Sequence, residues 1–136
     1  YEDRTKNYFI KPDTLQENLF DSVGKAIVEI SKQINAQAIV VFTFEGRTAR
    51  IISKYRPDSK IIAISNSFGT MNNLCLRWGV TSVYSERIDK EHIAIEDAKE
   101  LILNAGLAAK GDLIIFTAGA PYSEKSRANW LRFEVI

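Results

Sequence analysis

The chain is poor in the residues that usually announce chemistry. It has one cysteine, Cys75, and one histidine, His92. A single cysteine excludes an internal disulfide, and a lone thiol fits a reducing compartment, so a cytoplasmic protein is expected. A single histidine excludes a His-rich metal site. No run approaches 18 apolar residues, which excludes a membrane-spanning helix. Lys plus Arg number 18 and Asp plus Glu 17, a formal charge of +1. That balance supplies no broad electrostatic reason to bind nucleic acid or an anionic membrane. Neither G-x-x-x-x-G-K-[ST] nor G-x-G-x-x-G occurs, so the two common nucleotide-cradling fingerprints are missing, as are H-E-x-x-H and any cysteine pair. His92 sits in Asp89-Lys90-Glu91-His92, a charged helix start that suits a solvated or capping side chain. Cys75 shares an apolar helical face with Leu74 and Trp78 and is expected to be a buried, inert thiol. The acids Asp89, Glu91, Glu96 and Asp97 lie near a helix N-terminus, where the macrodipole accounts for them. No catalytic residue and no metal ligand is identified. The chain starts at Tyr1 without an initiator Met or a signal peptide, and reads as a piece excised from a longer polypeptide.

What is present is an ordinary globular composition: 136 residues, 46% hydrophobic and 26% charged. That length buries roughly two-thirds of the unfolded surface, enough for one core without staples. Residues 1–12 are polar with scattered aromatics and read as a linker remnant; residues 13–136 read as a single domain, without repeats or low-complexity stretches. Leu15, Leu19, Val23, Ile27 and Ile30, extended by Phe20 and Ile34, form the apolar stripe of a helix over residues 13–35. Gly24 interrupts it, which predicts a bend or a close helix contact. Three short apolar runs, Ala38 to Thr43, Ile61 to Ile64 and Leu113 to Phe116, read as strands buried on both faces. Helical patterns lie between them: residues 48–55, stopped by Arg56-Pro57; residues 68–78, with Met71, Leu74, Cys75 and Trp78 in phase; and a third marked by Ile93, Ala94, Ala98, Leu101, Ile102 and Ala105. A weaker strand covers residues 80–84. In the tail, Leu131, Phe133 and Val135 alternate with Arg132 and Glu134, a half-exposed edge strand. The expectation is an α/β three-layer sandwich: about five strands, mostly parallel, with an antiparallel C-terminal edge strand. Such an edge can pair across a two-fold axis, and Trp130, Arg132 and Glu134 are the expected interface residues, with Trp130 as anchor.

Two loops leave the carboxyl ends of strands, where ligands gather in doubly wound sheets. Thr43-Phe44-Glu45-Gly46-Arg47-Thr48 joins the first strand to a helix. Its backbone N–H groups and the helix dipole suit an anion, Gly46 permits close approach, Thr43 and Thr48 offer hydroxyls, and Arg47 offers a guanidinium fork. The same residues also suit a plain turn in which Thr48 caps the helix. The second loop, Thr117 to Asn129, is long and polar. It suits either a lid or a surface connection.

The order of motifs, Gly46-Arg47-Thr48-Ala49, Lys54-Tyr55-Arg56-Pro57, Ile61-Ile62-Ala63-Ile64, Trp78-Gly79-Val80, Lys110-Gly111-Asp112-Leu113 and Thr117-Ala118-Gly119-Ala120-Pro121, resembles the carboxy-terminal domain of pyruvate kinase. The resemblance covers nearly the whole chain. It implies a parent phosphotransferase of glycolysis that converts phosphoenolpyruvate and ADP to pyruvate and ATP, with Mg2+ and K+ in a catalytic barrel absent from these residues. It implies that this domain needs no cofactor of its own, that it carries part of a tetramer interface, and that it binds a phosphorylated allosteric effector. By the resemblance, Thr43, Phe44, Glu45, Gly46, Arg47 and Thr48 bind the effector phosphate, and Gly119, Lys125, Ser126 and Arg127 belong to an effector loop.

Two departures bear on that implication. Phe44 and Glu45 stand where many activated members carry small hydroxyl or basic residues, so Glu45 offsets Arg47. A carboxylate about 5 Å from a phosphate costs on the order of 1 kcal/mol in water and about 3 kcal/mol at an effective dielectric near 20. The helix terminus returns only about 0.3–2 kcal/mol. Glu45 turned inward weakens the site; turned outward, it leaves Arg47 and the backbone to hold the anion. The positions that hold the second phosphate of fructose 1,6-bisphosphate fall near Arg87 and Ala94, which favours a monophosphate, either a sugar phosphate or a nucleotide such as AMP. The alternatives are an assembly module with no working effector site, or a free-standing homologue.

Overall fold

The computed structural model describes residues 12–86, 91–118 and 130–136. Its elements are α1 (Pro12–Ile34), β1 (Ala38–Phe42), α2 (Arg47–Lys54), β2 (Lys60–Ser65), α3 (Phe68–Leu74), β3 (Val80–Tyr84), α4 (Glu91–Asn104), β4 (Leu113–Ala118) and β5 (Trp130–Val135). The strands form one sheet in the order β3-β2-β1-β4-β5. All pairings are parallel except that of β5 with β4. The α/β sandwich expected from the strand–helix alternation is therefore the fold, including its antiparallel C-terminal edge.

β1 is central, and all five of its side chains are buried. Its alternate residues serve two cores, as the period of two requires. Ala38, Val40 and Phe42, with Ile62, Ile64, Ile114 and Phe116, pack under Ala94, Ile95, Ala98 and Ile102 of α4. Ile39 and Val41, with Ile61, Ala63 and Ile115, pack under Ile27 and Val28 of α1, Ala49 and Ile52 of α2, and Leu74 of α3. Because β1 touches β2 on one side and β4 on the other, its register sets Phe42 beside both Ile64 and Ala118. The chain order switches direction there, opening a crevice at the strands' carboxyl ends.

α1 ends where Asn35 takes a left-handed φ of 53° and the Ala36 N–H returns to the Ser31 carbonyl at 3.0 Å, a helix-closing bond. Gly24 marks a close contact of α1 with α2: a Cβ there would lie 2.3 Å from Ile51 Cγ2.

Two expectations are corrected. α3 stops at Leu74, so the helix does not reach Trp78 and the apolar phase of residues 68–78 is not a continuous face. Leu74 alone of its residues is buried, while Trp78 is 48% exposed. Cys75, at the helix C-cap, is exposed rather than buried, with its thiol donating to the Asn72 carbonyl at 2.9 Å. The edge strand is half-exposed as its alternation implied, and its exposed apolar side chains are Leu131, Phe133 and Val135.

Candidate functional site

The Thr43–Thr48 turn is built from three directions. The Thr43 N–H donates to the Ile64 carbonyl at 2.9 Å, carrying the β1–β2 ladder one residue past the strand. The buried Thr43 hydroxyl then accepts the Gly46 N–H at 2.7 Å and folds the turn back on itself. From α3, the Thr70 hydroxyl donates to the Phe44 carbonyl at 2.7 Å; from α2, Arg50 Nη1 donates to the Glu45 carbonyl at 3.1 Å. Gly46 has φ 86°, a left-handed conformation that favours glycine, and its missing Cβ would meet Arg50, Leu74 and Thr70 atoms at 3.2 Å each.

Gly46 is the N-cap of α2, and no side chain caps that helix. Thr48 lies inside the first turn with its side chain buried, so it is not the cap. First-turn N–H groups lie outside a helix's own ladder of bonds, and a helix start without a capping side chain suits water or an anion. The acid at the turn is turned outward: Glu45 is 52% exposed and pairs with Arg47 across 3.7 Å. The α2 cations crowd one another. Burial first, then Arg77 and Arg47, push the Arg50 guanidinium below its ordinary value, while Glu45 acts in the opposite sense.

The remaining expected site residues are placed as follows. Gly119, Lys125, Ser126, Arg127 and Arg87 lie outside the described residues. Ala94 lies on the buried face of α4. Trp130 is half-buried, with its ring 5.7 Å from Phe42 and its carbonyl accepting from Thr117 Oγ1 at 2.8 Å; its buried Nε1 has no hydrogen-bond partner among the described residues. Trp130 thus packs against the α4-side core. Arg132 pairs with Glu134 at 3.2 Å, and Glu134 also takes Lys99 of α4 at 3.5 Å. Alternation alone indicated that these residues and the apolar row occupy opposite faces; which face the helices leave bare depends on tertiary packing. Among the described residues, no three His, Cys, Asp or Glu side chains converge to hold a metal ion.

One feature had no sequence signal. Arg47, Arg50, Lys54, Arg56 and Arg77 line a single groove of about 570 Å³ beside Trp78. α2 supplies three of the five, and the turns that follow α2 and α3 supply the others, so only the fold assembles them.

Residues 21–133 match the family model described as "Pyruvate kinase, alpha/beta domain". The chain belongs to the pyruvate kinase α/β domain family. It is 34% identical over 134 residues to a pyruvate kinase of Staphylococcus epidermidis strain RP62A, covering 98% of this chain and 22% of that protein. With a pyruvate kinase of Lactobacillus delbrueckii subsp. bulgaricus it shares 29% identity over 119 residues, covering 88% and 20% respectively. Among solved structures, Cryptosporidium parvum pyruvate kinase in complex with ADP superposes with a TM-score of 0.75 at 28% identity, over 85% of this chain and 23% of that one. The pyruvate kinase domain described here thus spans about a fifth of each of these relatives. No helix among its described residues is long and apolar enough to cross a membrane.

Proposed function

We propose that this chain is the regulatory α/β domain of a cytoplasmic pyruvate kinase and binds a phosphorylated effector, either a sugar phosphate or a nucleoside monophosphate, at residues 43–48. The start of α2, which no side chain caps, carries this reading: the helix begins at Arg47 on a left-handed Gly46, with Glu45 turned to solvent. The phosphate accepts from those N–H groups and from the Arg47 fork, displacing Glu45 from the guanidinium. In this reading Gly119, Lys125, Ser126 and Arg127, which lie outside the described residues, belong to the effector loop. Conversion of phosphoenolpyruvate and ADP to pyruvate and ATP, with its Mg2+ and K+, belongs to the remainder of the enzyme. An effector shifts that activity only by binding one state of the assembly better than the other.

A second role, in assembly, rests on β5. Leu131, Phe133 and Val135 form an exposed apolar row on an edge strand with one side unpaired, a surface suited to a second copy across a two-fold axis in a tetramer.

Kinetic assay of the full-length enzyme with AMP, ribose 5-phosphate, glucose 6-phosphate and fructose 1,6-bisphosphate tests the effector reading. Arg47→Ala is expected to raise the half-saturating concentration of the active effector about tenfold, the worth of one charged hydrogen bond. An effector response identical in wild type and variant contradicts the site.

A further inference from the structure

The groove along the outer side of α2 is separate from the effector turn, although Arg47 stands at the border of both. Arg47, Arg50 and Lys54 recur at intervals of three and four on one helix face, and so extend over roughly 10 Å along the axis. Arg77 and Arg56 enter from the turns after α3 and α2. Arg56 lies over the Trp78 ring, 5.4 Å from its centroid, and takes a left-handed φ of 47°. The turn that bears Trp78 is tied to α2 by Ser53, whose hydroxyl donates to the Trp78 carbonyl at 2.6 Å. Ile51, Ser53 and Leu76 complete the lining, and none of the lining residues is acidic. Carboxylates reach these cations from outside it, Glu45 on Arg47 and Asp21 on Lys54 at 2.5 Å. Five cations gathered in one groove contrast with a chain whose formal charge is +1. Burial first, then the neighbouring Arg77 and Arg47, lowers the affinity of Arg50 for its proton.

We propose that this groove binds a polyphosphate chain, free or as part of a nucleoside triphosphate. A single phosphate meets only one or two of forks spread along about 10 Å. Same-face carboxylates of an extended peptide stand about 6.6 Å apart, so an acidic peptide brings few of them into that length. Consecutive phosphates place charge continuously along it, and four of the five cations are arginines, whose planar donors match phosphate oxygens. Trp78, half exposed at the groove wall, offers a ring on which a base can stack.

The test uses the full-length polypeptide carrying 5-fluorotryptophan, with the Trp78 fluorine resonance assigned through Trp78→Phe, in physiological salt. Inorganic tripolyphosphate and ATP are each expected to shift the Trp78 resonance saturably. Arg77→Ala is expected to weaken both about tenfold, with Arg77→Lys intermediate. Tighter binding of ATP identifies stacking on Trp78 in addition to the phosphate contacts; equal affinity identifies the phosphate chain alone, and either result supports the proposal. Absence of a shift at millimolar tripolyphosphate overturns it. So does a shift indifferent to Arg77→Ala, a hexaglutamate peptide that binds as tightly as tripolyphosphate, or full displacement by ribose 5-phosphate. Because the signal comes from Trp78, the proposal stands or falls apart from the effector site at residues 43–48.

Discussion

The hydroxyl oxygen of Thr43 accepts the backbone N–H of Gly46 at 2.7 Å, so the last residue of the β1 ladder also sets the shape of the turn that follows. The hydrogen bond is buried, so losing the hydroxyl leaves the Gly46 N–H without its acceptor. Thr43→Val is therefore expected to cost about 1–3 kcal/mol, the penalty of an unmatched buried donor. Thr43→Ser keeps the oxygen and is expected to lose less. Urea unfolding of the two variants separates these outcomes.

Gly46→Ala acts on the same turn by another route. A left-handed φ costs a residue with a Cβ about 1–2 kcal/mol, and the new methyl would crowd Arg50, Leu74 and Thr70 at 3.2 Å. A loss of about 1–3 kcal/mol is expected, together with weaker effector binding, since Arg50 holds the Glu45 carbonyl. Calorimetry on the variant, with and without effector, reads both.

At Gly24 two effects oppose each other. Alanine is favoured over glycine in a helix by about 1 kcal/mol, but its Cβ would lie 2.3 Å from Ile51 Cγ2 and 3.2 Å from Ile51 Cβ, neither of which is a flexible chain end. Overpacking of this kind costs about 1–3 kcal/mol, so Gly24→Ala is expected to destabilise. Removing Cγ2 reverses the sign: introduced into Ile51→Ala, the same substitution is expected to be neutral or stabilising. Denaturation midpoints across the double-mutant cycle check the reversal.

The link between α1 and α2 is sensitive to pH. Hydrogen bonds from Lys54 and then Tyr55 hold the Asp21 carboxyl below its ordinary value of 3.8. Asp21 in turn raises Lys54 above 10.5 and Tyr55 above 10.0. The lowered group contributes stability that is present above 3.8 and lost as pH falls through its folded value. The raised groups contribute stability that is present below their ordinary values and lost as pH rises past them. Asp21→Asn should therefore lower the melting temperature slightly near neutral pH, with the gap from wild type closing in acid. A gap independent of pH between 2 and 7 contradicts the assignment.

Glu45 competes with any anion for Arg47 across 3.7 Å. The pair is half exposed, and such pairs contribute about 0–1 kcal/mol. Glu45→Gln is accordingly expected to tighten effector binding by a few-fold, up to about fivefold. Isothermal titration measures the change.

The layers of this domain were legible because its strands are short β-branched runs buried on both faces, a pattern seen at Ala38 to Phe42, and because a stripe of period 3.6 marks α1. Gly24 was legible as a break in that stripe, and the structure makes it a helix–helix contact. Trp78 and Cys75 were misplaced because helical phase continues through Leu76 and Arg77 in the sequence, while the backbone stops at Leu74. Periodicity reports where a helix could run, not where it ends. The turn at Gly46 was visible from residue types, but the role of Thr43 was not, since its hydroxyl could equally have faced a ligand. The basic groove had no linear signature: Arg77 is 21 residues beyond Arg56, and only the packing of α3 beside α2 joins them.

Hydrogen exchange of the full-length polypeptide, read at the peptide covering residues 43–54 with and without AMP or ribose 5-phosphate, tests the central claim most directly. An effector seated on the first turn of α2 slows exchange at those amides, and Arg47→Ala shifts the slowing to about tenfold higher ligand concentration. Exchange unchanged by every phosphorylated ligand at millimolar concentration contradicts an effector site in this turn.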